Sequence, residues 1–360
     1  MKQNKALVAM SGGVDSAVCA CLLQEAGYTI EGLTMRLWSE TERIGDTPSP
    51  LPDPNCSDAA AVAKQLGIPH HSVALGDTFR RAVVDRFMED YANGLTPNPC
   101  VECNHHIKFG KLMELTDAHG FDFLATGHYA KIEKSASGDF VLKKAKDSAK
   151  DQSYFLWAIP KAYLSRILLP LGDYTKAEIR EIAERRQLAC AHRSDSQDIC
   201  FIPDGDYVAF LSKHSNKTFP EGDFVTPDGT ILGRHGGYIR YTIGQRKGLG
   251  IAVGHPIFVG QKNVSANTVT LCSDAELYAR EFTATSLNLL VNDDLSTPRR
   301  FEAKIRYRHT PAIATVERIG ETRLSVRFDL PQRAIAPGQS VVLYDGDTVI
   351  GGGIIEQTTH

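Results

Sequence analysis

The chain has 360 residues, with 40 basic against 43 acidic side chains, a net charge of −3 and the apolar content of a soluble globular protein. Length predicts two or three domains, and the near-neutral balance excludes a global field for nucleic acid, so any such binding needs a local patch. No stretch approaches the roughly 18 apolar residues of a membrane span or the form of a cleaved leader, and eight scattered cysteines do not make a secreted disulfide scaffold; a cytosolic protein with no membrane partner is expected.

In chain order, apolar runs at 6–10, 30–35, 71–74 and 123–126 read as strands, and amphipathic stretches near 17–26, 59–66, 79–93 and 109–118 as helices. This alternation predicts a parallel sheet covered on both faces, a Rossmann-like α/β domain over residues 1–207. Residues 41–55, rich in Pro, Asp and Ser, read as an exposed, mobile loop, and Thr175 with Glu178 makes a capping box for a helix running to about Gln187. Beyond residue 208 the pattern changes to period-two alternation, as in Leu324, Val326, Phe328 and Leu330. Two smaller β-rich modules are expected, a central one over 208–277 and a C-terminal β-barrel over 278–360.

The first strand runs into Ala9-Met10-Ser11-Gly12-Gly13-Val14-Asp15-Ser16, and a helix follows. Gly12 and Gly13 are expected to take backbone angles closed to other residues and to bring main-chain amides to an anion. Ser11 and Ser16 add donors, and the helix dipole points at the same spot. Asp15 and Ser16 lie where phosphates and a Mg²⁺ ion are held. There is no Gly-Lys-Ser/Thr as in an ordinary P-loop. The motif resembles that of the PP-loop ATP pyrophosphatases, which adenylate a substrate oxygen and release pyrophosphate.

Thr96-Pro97-Asn98-Pro99-Cys100-Val101-Glu102-Cys103 is a proline-stiffened loop carrying Cys-x-x-Cys before a helix expected from about Ile107. Proximity to a helix N-terminus is expected to lower a thiol's pKa and make it a nucleophile. Structural zinc is a weaker reading: His105 and His106 adjoin the pair, but no second pair has suitable spacing. Cys200 sits in Ser196–Ile202; Cys19 and Cys21 lie in the helix after the phosphate loop, Cys56, Cys190 and Cys272 have no chemical neighbours, and all five read as structural. Farther on, strand alternation over 303–308 turns Lys304, Arg306 and Arg308 to one side, near Arg299 and Arg300. A basic stripe suited to a phosphate backbone is expected there, and Arg240, Gln245, Arg246 and Lys247 form a second glycine-rich basic stretch.

Over essentially its full length the chain resembles the tRNA-specific 2-thiouridylases (MnmA/TrmU), in the blocks 9–16, 96–110, 124–130, 151–156, 196–202, 241–250 and 336–339. The resemblance implies an adenine nucleotide alpha hydrolase-like first domain and ATP-dependent 2-thiolation of the tRNA wobble uridine, with ATP and Mg²⁺ used and sulfur supplied by a cysteine desulfurase or a sulfur relay protein. It implies that Cys103 is the nucleophile and Cys200 the persulfide carrier; the persulfide sulfur is expected to reach C2 either directly, with a Cys103–Cys200 disulfide left when the thiolated base departs, or as hydrosulfide after reduction by Cys103. It further implies that residues 9–16, Met35 and Gly127 bind ATP, and that Asn98, Pro99 and Cys100 lie by the target base. Contacts to tRNA are implied for His128, Lys150, Asp151, Gln152, Arg306, Tyr307 and Gln339. Some members have an aspartate where this chain has Cys100, so an acid/base role for that carboxylate does not carry over. Two alternatives stand beside this reading: an iron–sulfur thiolase using Cys100, Cys103 and Cys200, and a PP-loop ligase acting on a small molecule.

Overall fold

The computed structural model describes residues 4–39, 44–47, 51–52, 57–194 and 199–359. They form two compact units, one drawn from residues 1–83, 100–201 and 346–350, the other from 84–99, 202–345 and 351–360.

The first unit is built on a six-stranded sheet. Its strands are β1 (Lys5–Ala9), β2 (Thr29–Arg36), β3 (Leu51–Pro52), β4 (His70–Ala74), β5 (Phe123–Ala125) and β8 (Ile167–Leu168), in the order β3-β4-β2-β1-β5-β8. All neighbours are parallel except the short β3–β4 pair. Ala6, Val8, Ile30 and Ala125 pack with Val14, Ala17, Val18 and Val62 of helices α1 (Val14–Glu25) and α2 (Ser57–Leu66), each of these side chains nearly solvent-free. Full burial of such a side chain contributes about 1.5–3 kcal/mol, which is why β1 is apolar on both faces. From β1 the chain builds outward through β2 to β4 on one side and then crosses back to β5 on the other. The β1/β5 boundary is therefore the point where strand order reverses, and in parallel sheets ligands bind outside the strand ends there. A hairpin, β6 (Lys131–Lys134) with β7 (Phe140–Lys143), completes the strands of this unit, and the predicted Thr175–Glu178 capping box starts the helix Lys176–Arg185.

The second unit holds two β structures. Strands β9 (Gly222–Val225), β10 (Ile231–His235), β11 (Phe258–Asn263) and β12 (Thr268–Cys272) form a sheet of order β10-β9-β12-β11. Strands β13 (Tyr278–Leu289), β14 (Arg299–Lys304), β15 (Ala312–Ile319), β16 (Arg323–Arg333), β17 (Ser340–Asp345) and β18 (Thr348–Thr359) run in the order β13-β16-β15-β14-β17-β18. Pairing of β18 back to β13 closes them into a barrel. Leu324, Val326 and Phe328 fill its interior as the alternation requires, with Phe328 tilted on Phe282. No described helix is long and apolar enough to cross a membrane.

Several expectations need correction. Leu330 is 70% exposed, because pairing of β16 with β15 ends at Phe328 and the strand runs on past the barrel wall. The helix expected from Ile107 begins at Pro99 and continues as a π-helical stretch, Cys103–Lys111, and then Leu112–Ala118. Asn followed by Pro is the signature of a helix start, and it was present at Asn98-Pro99. The helix expected over 79–93 likewise begins early, at Gly76, and is interrupted by a π turn at Arg80–Val84. A further helix, Tyr207–His214, capped by Asp206 on the Ala209 amide, follows the first unit. The strand carrying the basic residues stops at Lys304, and 305–308 form a bend and turn closed by His309 N–H donating to the Arg306 carbonyl. No single stripe therefore exists: Arg299 pairs with Asp293 at 2.9 Å, Arg300 with Asp329, and the Lys304 ammonium lies 5.3 Å from the Tyr307 ring centre. Of the loop expected over 41–55, only 44–47 and β3 are described; Cys56 and residues 196–198 of the Cys200 motif lie outside the described residues.

Candidate active site

The loop from β1 into α1 sits at the reversal point of the sheet. Met10 N–H donates to the Leu33 carbonyl at 2.8 Å and the Thr34 hydroxyl to the Met10 carbonyl at 2.9 Å, so the loop leaves from a fixed position beside β2. Met35 lies near the end of the same strand, one register step beyond Thr34. Gly12 has φ +81°, and a Cβ there would come within 3.0 Å of Asp58 Cβ and 3.1 Å of Ala59 N; it is required on both counts. Gly13 corrects the expectation for the pair: its φ of −86° is open to any residue, and its nearest neighbour would be the Ser11 hydroxyl at 3.5 Å. What Gly13 supplies is open space over the helix start. As N-cap of α1 it has no side chain to bond the first-turn amides, which are left for an external acceptor. The Ser16 hydroxyl donates to the Gly13 carbonyl at 3.1 Å and accepts from Ser11 N–H at 3.2 Å, stapling the loop to α1.

Four residues distant in sequence meet this loop, and of these only Gly127 was named from the sequence. Asp15 Oδ1 accepts from Lys176 Nζ and from the Tyr129 hydroxyl, each at 2.7 Å, with the lysine side chain 11% exposed. Arg193 donates to the Gly12 carbonyl at 3.2 Å and pairs with Asp58. Gly127, just beyond β5, lies against the backbone of Asp15 and Ser16, where a Cβ would fall 2.8 Å from Asp15 C. The Thr175–Glu178 capping box was legible; that it delivers Lys176 to Asp15 was not.

The same unit holds a cluster of thiols. Cys100 and Cys200 are solvent-accessible and Cys103 is buried, all three unbonded. Burial pushes each thiol up, Cys103 to about 12; Lys108 acts the other way on all three, and the neighbouring sulfurs raise Cys103 and Cys200 further. The lowered pKa expected from the helix N-terminus is thus overturned, because desolvation of an enclosed thiolate outweighs a dipole and one cation. Lys108 is a residue the sequence did not single out. Its ammonium lies 3.3 Å from Nε2 of His128, whose Nδ1 is 2.7 Å from the Thr126 hydroxyl. An ammonium has no lone pair, so Nε2 accepts, Nδ1 carries the proton and donates to Thr126; burial and then Lys108 hold His128 neutral, well below the ordinary imidazole range. Cys200 is anchored by its neighbour Phe201, 1% exposed, edge-on to Trp38 and Phe79. His105 Nδ1 donates to the Ala158 carbonyl at 2.6 Å and His106 pairs with Glu102. Among the described residues no three His, Cys, Asp or Glu side chains are arranged to hold a metal ion.

Comparison with known proteins gives three family matches in succession: a tRNA methyl transferase HUP domain over residues 4–204, a tRNA methyl transferase PRC-barrel domain over 208–273 and an aminomethyltransferase beta-barrel domain over 279–355. The tRNA-specific 2-thiouridylase MnmA of Clostridioides difficile (strain 630) is 45% identical over 356 residues, 99% of each chain. The chain belongs to the tRNA-specific 2-thiouridylase family. The MnmA of Carboxydothermus hydrogenoformans is likewise 45% identical, over 99% of this chain and 98% of that one. A 4-thiouridine synthetase–RNA complex with bound ATP is similar at 16% identity and a TM-score of 0.33, over 58% of this chain and 50% of that one.

The residues through which the 2-thiouridylase resemblance implies RNA contact are mostly engaged within their own units. Asp151 accepts from Ala145 N–H, Ser153 N–H and the Ser153 hydroxyl; Gln152 exchanges bonds with the Tyr129 backbone; Lys150 N–H closes a turn on Asp147. His128 is 9% exposed. In the second unit Arg306 donates to the Arg333 carbonyl at 3.0 Å, Tyr307 lies under Lys304, and Gln339 donates to the Thr96 carbonyl at 2.8 Å.

Proposed function

We propose that this protein is an ATP-dependent tRNA uridine 2-sulfurtransferase in which Cys200 carries the transferred sulfur as a persulfide and Cys103 releases it. The observation that carries this reading is one unit holding both an uncapped helix start behind Gly12-Gly13 and three unbonded thiols around Lys108, in a chain that matches 2-thiouridylases end to end. An uncapped N-terminus suits phosphate, and an oxygen at C2 of a uridine must be adenylated before sulfur can displace it. Residues 9–16, Met35 and Gly127 hold ATP in this reading. Magnesium, which keeps water and phosphate oxygens as ligands and needs only one or two carboxylates, fits a site with Asp15 beside the phosphates and Asp58 close to Gly12.

The outer sulfur of the Cys200 persulfide attacks C2, and AMP leaves with the former C2 oxygen. Cys103 then attacks Cys200 Sγ, the S–S bond breaks, the base departs with its sulfur, and a Cys103–Cys200 disulfide remains for a dithiol reductant to open. Lys108 stabilises the sulfur anions, and Asn98, Pro99 and Cys100 face the base. Transfer RNA and a desulfurase or relay protein are the partners, with His128, Lys150, Asp151, Gln152, Arg306, Tyr307 and Gln339 on the RNA side.

The test is reconstitution with ATP, unmodified tRNA and a desulfurase, read by nucleoside and peptide mass spectrometry. Cys200→Ser should carry no persulfide at that position and make no 2-thiouridine; Cys103→Ser should still be loaded with sulfur yet make no product. Parental rates in both variants would exclude this chemistry; absence of 2-thiouridine with the parent protein itself would favour a PP-loop ligase that has no use for the thiols.

A further inference from the structure

Leu95 and Thr96 precede Asn98–Cys100, the residues assigned to the target base, with only Pro97 between, and the C-terminal barrel grips them. Thr96 N–H donates to the Pro337 carbonyl at 2.9 Å, and its carbonyl accepts from Gln339 Nε2 at 2.8 Å, so both backbone groups of one residue are taken by one barrel turn. That turn is itself fixed to β18: Gly338 N–H donates to the Ile355 carbonyl, and Ile355 N–H to the Gln339 carbonyl, each at 2.8 Å. Gly338 has φ +90° and is buried; a Cβ on it would lie 2.8 Å from Thr96 N and 2.9 Å from Leu95 Cβ. The glycine is required by its dihedral and again by the close approach of the segment it receives. On the other side Gly94 packs on the end of β11 and the residue that follows it, where its Cβ would meet Lys262 Cβ at 3.9 Å and Val264 at 2.9 Å, and a cavity of about 280 Å³ is lined by Leu95, Lys262 and Pro337 among others. The segment is thus tied at Thr96 and open beneath Leu95.

We propose that Gly338 and Gln339 are positioning residues for the thiolation reaction, holding Thr96 so that the Asn98–Cys100 segment is presented to the base at a set angle. Pro97 and Pro99 transmit that constraint, since each fixes its own φ and restricts the residue before it. The amide group of Gln339 acts through the loop and serves catalysis whether or not it also touches RNA. This proposal rests on the sulfurtransferase reading for the identity of the target base and on the structure alone for the clamp.

Two measurements on full-length protein decide it. In Gln339→Ala, hydrogen exchange at the Thr96 amide should accelerate about tenfold, the upper end for one neutral hydrogen bond, while the Ile355 amide, bonded to the Gln339 backbone, stays as slow as in the parent. Single-turnover thiolation at saturating tRNA should fall about tenfold or more, with the tRNA Kd within about threefold of the parent. Gly338→Ala should show the same split, more severely, provided its Ile355 amide remains protected. An unchanged Thr96 amide, or a loss confined to Kd with full rate at saturation, would overturn the proposal, the latter being the signature of a plain RNA contact. Absence of thiolation by the parent protein would instead count against the sulfurtransferase reading, and the exchange measurement would still decide the clamp.

Discussion

Replacing Gly127 by alanine adds one methyl group at a place where the structure has no room for it. The added Cβ would lie 2.8 Å from Asp15 C, 2.9 Å from Ser16 N and 3.0 Å from Asp15 O, all of them main-chain atoms that no rotamer change can move aside. Ordinary contact begins near 3.4 Å, so the start of α1 or the end of β5 must shift by about 0.6 Å. The backbone angle of Gly127 is outside the left-handed region, so the perturbation is purely steric. Overpacking of this kind costs about 1–3 kcal/mol. At roughly 2–4 °C per kcal/mol for a large domain, Tm should fall by about 2–12 °C. The displaced atoms are those that aim the first-turn amides and carry the Asp15 carboxylate to Lys176 and Tyr129, so tRNA-dependent pyrophosphate release should drop about 10–100-fold. Differential scanning calorimetry and a pyrophosphate assay measure the two effects. Gly236→Ala is the control, since its Cβ would meet nothing closer than Arg240 Nε at 3.5 Å. A Gly127→Ala protein with the parental Tm and the parental rate would refute the close packing of β5 on the phosphate loop and its role there.

Lys108→Gln removes the cation that lowers all three thiols, so iodoacetamide labelling of Cys100, Cys103 and Cys200 should slow at neutral pH; faster labelling would contradict the assignment. Because the folded Cys103 pKa of about 12 stands above its ordinary 9.0, its stability contribution is complete below about pH 9 and is lost progressively above it, which denaturant titrations at pH 8 and 10 should show. Lys176→Met leaves Asp15 with Tyr129 alone; a loss of about 1–3 kcal/mol is expected in calorimetry, below that of a fully buried pair because the aspartate side chain is 35% exposed. Arg306→Ala should weaken tRNA binding by about 1–3 kcal/mol and reduce the log–log salt slope by up to about 0.9, with ATP affinity unchanged. The guanidinium also donates to the Arg333 carbonyl, and binding isotherms identical to the parent would remove it from the RNA surface.

What the sequence by itself determined is whatever neighbours along the chain decide. The strand–glycine–helix passage at 6–25, the Thr175–Glu178 cap and the alternation that fills the barrel with Leu324, Val326 and Phe328 depend on local dihedral preference and on the period of apolar residues. The pairing of Cys103 with Cys200 as chemical partners came from resemblance, not from spacing. Only the tertiary structure brought Lys176 to Asp15 across 161 positions, Gln339 to Thr96 across 243, and Gly127 against the start of α1. It also reversed the expectation for the thiols: a helix dipole can be read from the chain, but desolvation depends on everything that packs around the sulfur, and at Cys103 the surroundings prevail. In the same way alternation through Arg308 foretold a basic stripe, while closure of the barrel ended the strand at Lys304 and gave Arg299 and Arg300 acidic partners from other segments. Local patterns specify which elements form; burial, charge pairing and the rigidity of a site arise from contacts between residues far apart in sequence, and those exist only once the chain has folded.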